Sequence, residues 1–156
     1  MRNVVRYDTR VVIEQDGDGE TLRLWKRLWA LSFGLNARSK QMAATIGVTG
    51  EERLVIRFIA QCPNSTPHML ARSLNVDART IVRLLRRLEK RGFVAYRNGS
   101  RGGTLPRLTP RGFSIAGERR GTVEAAVFRT LERLDTREIA GSAELLELLA
   151  GELRSE

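Results

Sequence analysis

Apolar residues recur at helical spacing through most of this chain and alternate in one short stretch only. Between Asp77 and Gly92, residues Ile81, Leu84, Leu85 and Leu88 fall at i, i+3, i+4 and i+7, which predicts a helix with one apolar face. Asp77 offers an N-cap oxygen, and Gly92 suits the left-handed stop at a helix C-terminus. Upstream, Thr49-Gly50-Glu51-Glu52 has the spacing of a capping box. It opens a helix through about Gln61 with Leu54, Val55, Phe58 and Ile59 as the inward face. Cys62-Pro63-Asn64-Ser65 reads as a turn. Thr66 then caps a short helix with Pro67 at its first position, where a missing N–H costs little, and with Met69, Leu70 and Leu74 inward. Leu74-Asn75-Val76 turns into the helix that starts at Asp77. Two short helices joined by a tight turn, the second of them basic, predict a helix-turn-helix.

After Gly92 the period changes. Residues 93–97 alternate as a strand, with Phe93 and Ala95 on one side and Val94 and Tyr96 on the other. Asn98-Gly-Ser-Arg-Gly-Gly103 reads as a flexible hairpin tip, and residues 104–108 return as a short strand that Pro106 restricts to a sheet edge. A helix-turn-helix followed by such a hairpin is a winged helix. Thr109 caps a further helix with Pro110 at its first position. That helix is predicted to run to about Leu134, with Gly117 and Gly121 as weak points. Residues 137–141 break the pattern, and residues 142–153 form a leucine-rich final helix.

At the other end, residues 21–44 predict a long helix. Leu22, Trp25, Leu28 and Trp29 share a stripe flanked by Leu31, Phe33 and Leu35. So wide an apolar surface needs a cover, and in so short a chain a second subunit supplies it. Trp25, Leu28 and Trp29, with Leu145 and Leu149 of the final helix, are the predicted dimerisation residues. Residues 4–13 are rich in β-branched side chains and read as a short strand or an arm. Residues 15–20, QDGDGE, read as a polar linker. Asp16-x-Asp18 matches only the start of a calcium loop and lacks the closing Glu, so no metal site is expected. The fold class is therefore mainly α with a small β-hairpin wing. An arm spans 1–20, a winged helix-turn-helix lobe 49–109, and dimerisation helices 21–46 and 110–156.

Charge sharpens the picture. The 156 residues carry a net +9, but residues 53–111 hold +11, residues 1–52 hold +1 and residues 112–156 hold −3. Within residues 78–91 there are six basic residues and one acidic, Glu89. At about 100° per residue, Arg79, Arg83, Arg86 and Lys90 gather opposite the apolar face, with Thr80 and Arg87 at its margin. Solvated helices ordinarily mix signs to gain i,i+4 pairs, whereas a one-signed face suits a polyanion. No apolar run approaches the roughly 20 residues of a membrane span, and the N-terminus lacks the apolar core of a signal peptide. A single cysteine, Cys62, excludes an intramolecular disulfide and is compatible with a reducing, cytoplasmic setting. The one histidine, His68, stands beside Pro67 with no nucleophile, metal-ligand cluster or phosphate loop around it, so no enzyme and no cofactor are expected.

The order of these parts resembles the MarR family of bacterial winged-helix transcription regulators, over residues 21–153. The likeness rests on the long first helix, the Glu51-Glu52 helix opening, Met69-Leu70-Ala71-Arg72-Ser73-Leu74-Asn75-Val76, Thr80 through Gly92 with Phe93-Val94, and Leu108-Thr109-Pro110-Arg111-Gly112. The wing departs from the family's pattern: its usual Asp-Arg-Arg is here Ser100-Arg101-Gly102, so only the central arginine, Arg101, is matched. What the resemblance implies is a homodimer with intertwined terminal helices and two lobes on a pseudo-palindromic duplex DNA site. It further implies a repressor that a small-molecule effector bound between lobe and dimer region can release. Arg79, Thr80 and Arg83 are then expected nearest base edges, with Arg86, Arg87 and Lys90 nearer phosphates and Arg101 at the minor groove. Cys62 does not match the position of the family's oxidant-sensing cysteines. The competing expectation is a winged helix that contacts RNA or protein.

Overall fold

The computed structural model describes residues 9–99 and 104–155. Helix α1 spans Thr9–Thr45, α2 Gly50–Gln61, α3 Pro67–Ser73 and α4 Ala78–Lys90; strands β1 (Val94–Asn98) and β2 (Thr104–Leu108) follow, then α5 (Pro110–Gly117), α6 (Val123–Leu131) and α7 (Thr136–Glu152). The chain divides into two compact units, one ending at Ala37 and the other beginning at Arg38.

In the first unit α1 begins well before the expected start. It takes in residues 15–20, read from sequence as a linker, so Gly17 and Gly19 sit inside a helix. Each glycine costs about 1 kcal/mol against alanine, yet a nucleated helix gains a backbone bond per added residue. The strand or arm expected over residues 4–13 is helical from Thr9, and residues 4–8 lie outside the described residues. Trp25 and Trp29 are 61% and 60% exposed, and Trp29 meets Phe33 edge-to-face at 5.6 Å between ring centres.

The second unit is built on the core that α2, α3, α4, the hairpin and α5 enclose. Val55, Ile56, Ile59, Leu70, Ile81, Leu84, Leu85, Leu88, Phe93, Val94 and Leu108 are buried in it. The helix starts follow the local chemistry of the sequence. Thr49 Oγ1 accepts from the Glu52 amide at 3.2 Å while Glu52 Oε2 accepts from the Thr49 amide at 2.9 Å, a complete capping box. Thr66 caps α3 and Thr109 caps α5, each with proline in the first turn.

Several inward positions differ from the apolar pattern. Leu54 is half exposed and Met69 likewise, whereas Ile56 and Arg53 are buried. Helix α2 packs on α4, α5 and β2 together, so its buried sector is set by three neighbours and not by its own stripe. Phe93 and Val94, expected on opposite sides, are both buried, because Phe93 precedes the first paired residue. The hairpin is antiparallel with Val94 opposite Leu108, Tyr96 opposite Pro106 and Asn98 opposite Thr104. The helix expected over residues 110–134 is two helices: α5 stops at Gly117, residues 118–122 turn through Gly121 at φ +70°, and Thr122 caps α6. The expected break at 137–141 is helical instead, since Asp135 and Glu138 form a second capping box that starts α7.

The close approach of α5 to the backbone of Phe93 requires a glycine. A Cβ at Gly112 would lie 2.2 Å from the Phe93 carbonyl oxygen, a backbone atom that also accepts from the Thr109 amide at 3.1 Å. Gly112→Ala should therefore cost about 1–3 kcal/mol of stability, as forced overpacking does, and lower the urea midpoint accordingly. An unchanged midpoint would mean that α5 can shift away from β1 at no cost.

Candidate nucleic-acid interface

Helix α3 ends in a Schellman arrangement: the Asn75 amide donates to Arg72 O at 3.2 Å and the Val76 amide to Ala71 O at 3.0 Å. Asn75 sits at φ +53°, a conformation asparagine tolerates better than most residues, and it turns the chain into α4. Asp77 then caps α4. Its Oδ1 accepts from the Arg79 amide at 2.8 Å, and Oδ2 accepts from the Thr80 amide at 3.2 Å and from the Thr80 hydroxyl at 3.1 Å. The bond from the Arg79 amide is the largest influence holding the Asp77 carboxyl below its ordinary range, aided by the Thr80 bonds and the Arg79 charge against desolvation. Helix α4 ends in a second Schellman arrangement, with the Gly92 amide on Glu89 O and the Phe93 amide on Leu88 O, both at 2.9 Å, and Gly92 at φ +74°.

Between these ends α4 has two faces. Ile81, Leu84, Leu85 and Leu88 are buried. Arg79, Arg83, Arg86 and Lys90 are exposed on the other side, and among the described residues they form no ion pair. Ala78, Arg79, Val82, Arg83, Arg86 and Arg87 line an open groove along this side. Thr80 is half-buried, and its hydroxyl hydrogen is engaged by Asp77, which leaves its oxygen as an acceptor. Arg87 differs from its neighbours: its Nη2 lies 3.1 Å from Oε1 of buried Glu52. Arg101 lies in the wing tip, outside the described residues.

Other polar contacts hold this face in place, and the sequence pattern did not disclose them. Glu52 also accepts from Arg91 Nη1 at 3.0 Å, and Arg91 Nη2 donates to Gly47 O. The guanidinium carbons of Arg91 and Arg111 stand 5.1 Å and 4.5 Å from the centre of the Phe93 ring. Arg53, 2% exposed, pairs with Glu124 at 2.9 Å and donates to the carbonyls of Ile115 and Glu118, while Arg57 donates to Ala116 O at 3.0 Å. Cations at those carbonyls answer the negative end of α5. The only signal for Arg53 was its place next to the capping glutamate, which says nothing of a partner 71 residues away.

Beside these arginines a cavity of about 480 Å³ is lined by Arg53, Arg57, Arg119, Glu124, Phe128 and Arg129 among others. Of the predicted dimerisation residues, Trp25, Trp29 and Leu145 are exposed and Leu28 and Leu149 half-buried. Among the described residues no three His, Cys, Asp or Glu side chains come together to hold a metal ion, and no helix is long and apolar enough to cross a membrane.

A two-helix unit with a tight turn, a strongly amphipathic second helix and an antiparallel hairpin defines a winged helix-turn-helix protein. The sequence profile of the MarR family matches residues 46–103, the greater part of that lobe. The fold is likewise that of solved MarR-family structures. It is similar to the MepR–DNA complex of S. aureus, at 16% identity and a TM-score of 0.67 over 83% of this chain and 96% of that one. It is similar to a MarR/EmrR family transcriptional regulator from Acinetobacter sp. ADP1, at 15% identity and 0.65 over 92% and 99%. It is also similar to a MarR family protein of Mycobacterium tuberculosis, at 28% identity and 0.55 over 81% and 92%. No curated protein matches it in sequence.

Proposed function

We propose that this protein is a sequence-specific transcription regulator of double-stranded DNA, a repressor that acts as a homodimer on a pseudo-palindromic site. The observation that carries the reading is the exposed face of α4, where Arg79, Arg83, Arg86 and Lys90 stand together with no acidic side chain among them. The second helix of a helix-turn-helix enters the major groove by its N-terminal half, which brings Arg79, Thr80 and Arg83 towards base edges. Arg86 and Lys90 then meet phosphates. Support comes from the S. aureus relative, which was solved with DNA.

Selection of bound sites from a random duplex pool tests this. Arg83→Ala should cost about 1–3 kcal/mol and relax preference at one base pair per half-site. A loss of affinity equal on all sequences would make Arg83 a phosphate contact. In the same pool Arg101→Ala should weaken sites with A·T-rich flanks most, because a narrow minor groove attracts arginine.

Dimerisation is the second part of the proposal. Trp25, Trp29 and Phe33 on α1, and Leu145, Leu146 and Leu148 on α7, are large apolar side chains exposed in the single chain. An interface covering them would be of the obligate kind, above about 2,000 Å². Two lobes held by the ends would sit about 34–36 Å apart on one face of the duplex. Trp29→Glu should then lose helix content and DNA binding together. A folded, well-behaved monomer by sedimentation, in wild type or in that variant, would sink this part.

The third part is release by a small-molecule effector. The cavity beside Arg53 and Phe128 is of ligand size, and its guanidinium groups with one exposed phenyl ring favour a small aromatic carboxylate. Titration with benzoate-type anions should raise the melting temperature and weaken retardation of DNA. No change in either, at concentrations up to millimolar, would remove this part.

A further inference from the structure

Glu52 is fully buried, and its surroundings are more than a helix cap requires. The capping box uses one carboxylate oxygen, and a glutamine would serve it as well. Here Oε2 accepts from both the Thr49 amide at 2.9 Å and Arg91 Nη1 at 3.0 Å. Oε1 faces Arg87 Nη2 at 3.1 Å as an ion pair without the alignment of a hydrogen bond. Both arginines come from the C-terminal end of α4, Arg87 from its last turn and Arg91 from its cap. The side chains of Arg87 and Arg91 remain 52% and 40% exposed, while Glu52 has no exposure at all.

That asymmetry decides what the arginines do. A buried carboxylate is costly unless paired, so it holds its cations strongly. An ion pair with one buried partner is screened by salt much less than a contact made in open water. A DNA phosphate arriving from solvent therefore competes poorly for Arg87. Arg86 and Lys90, in the same turn, have no acidic partner among the described residues.

We propose that Glu52 is an internal counter-ion that withdraws Arg87 and Arg91 from the DNA-facing charge and anchors the C-terminal end of α4 to the start of α2. The groups left to meet phosphate on this helix are then Arg86 and Lys90, with Arg79 and Arg83 towards the bases. Glu52 is a positioning residue, and Arg87 is not a phosphate contact, contrary to the expectation from charge alone. This inference rests on the reading of the protein as DNA-binding.

The test uses the full chain and mixed-sequence duplex DNA, with log affinity measured against log salt. Removing one phosphate contact lowers the slope by about 0.9. Arg86→Ala should lower it by that amount, and Arg87→Ala should leave it at the wild-type value. Glu52→Gln keeps the cap acceptor, releases Arg87 and should steepen the slope; adding Arg87→Ala to it should reverse the steepening. Arg87→Ala lowering the slope as Arg86→Ala does would overturn the proposal, and this comparison stands even if Glu52→Gln fails to fold. Wild type without any salt-dependent binding would instead sink the DNA-binding reading. In that event the pairing is read from the Arg87 guanidinium NMR signal, which should move between wild type and a folded Glu52→Gln or, failing that, Glu52→Asp. An Arg87 signal unmoved by loss or shortening of the acid overturns the pairing with or without DNA.

Discussion

Ile81, Leu84, Leu85 and Leu88 leave water along one side of α4, each at 4% exposure or less. Full burial of such a side chain is worth about 1.5–3 kcal/mol, an upper estimate because the unfolded chain is itself partly compact. Four in a row outweigh the repulsion of the arginines on the other side, which the high dielectric of water already weakens. That imbalance lets a helix of 13 residues carry a one-signed face at all. The opposing core comes from Val55, Ile56 and Ile59 of α2 and Leu70 of α3, so both neighbouring helices are placed by the same contact.

Polar groups then fix what apolar burial leaves adjustable. Burial of α4 has no strong preference about a small slide along its axis. Asp77 at one end fixes the helix start through its carboxylate, Gly92 at the other stops it by its left-handed backbone, and Glu52 grips the last turn through two guanidiniums. Helix α2 is central to this. Its first two turns send out Glu52 to α4, Arg53 to α5 and α6, and Arg57 to the end of α5. Removing one partner of such a pair would strand the other, which is why these contacts are specific as well as cohesive.

The terminal helices follow a different logic. Neither α6 nor α7 has a buried residue, and α1 leaves both tryptophans in water. Such exposure is poorly suited to an isolated chain. The charge distribution agrees with an association through these parts, since residues 112–156 carry −3 and residues 53–111 carry +11. Two middles at +11 repel strongly, and the weakly charged ends repel far less.

What the sequence by itself determined is local. Thr49, Thr66, Asp77 and Thr109 all cap the helices expected of them, because a cap bonds an amide two or three residues on. The two faces of α4 were legible for the same reason: one helix with a single core-facing stripe obeys its own period. The tertiary structure decided the rest. Leu54 and Ile56 exchanged roles because α2 has three neighbours, and their arrangement is written in no single stretch. The long helix after Thr109 divided at Gly117, where Arg53 and Arg57 take up the carbonyls a continuing helix would have used. Arg87 read as one more cation on a basic margin, and became the partner of a buried acid 35 positions earlier. Charge and period are properties of neighbours in sequence, whereas an ion pair of this kind exists only once burial has brought distant residues out of water together.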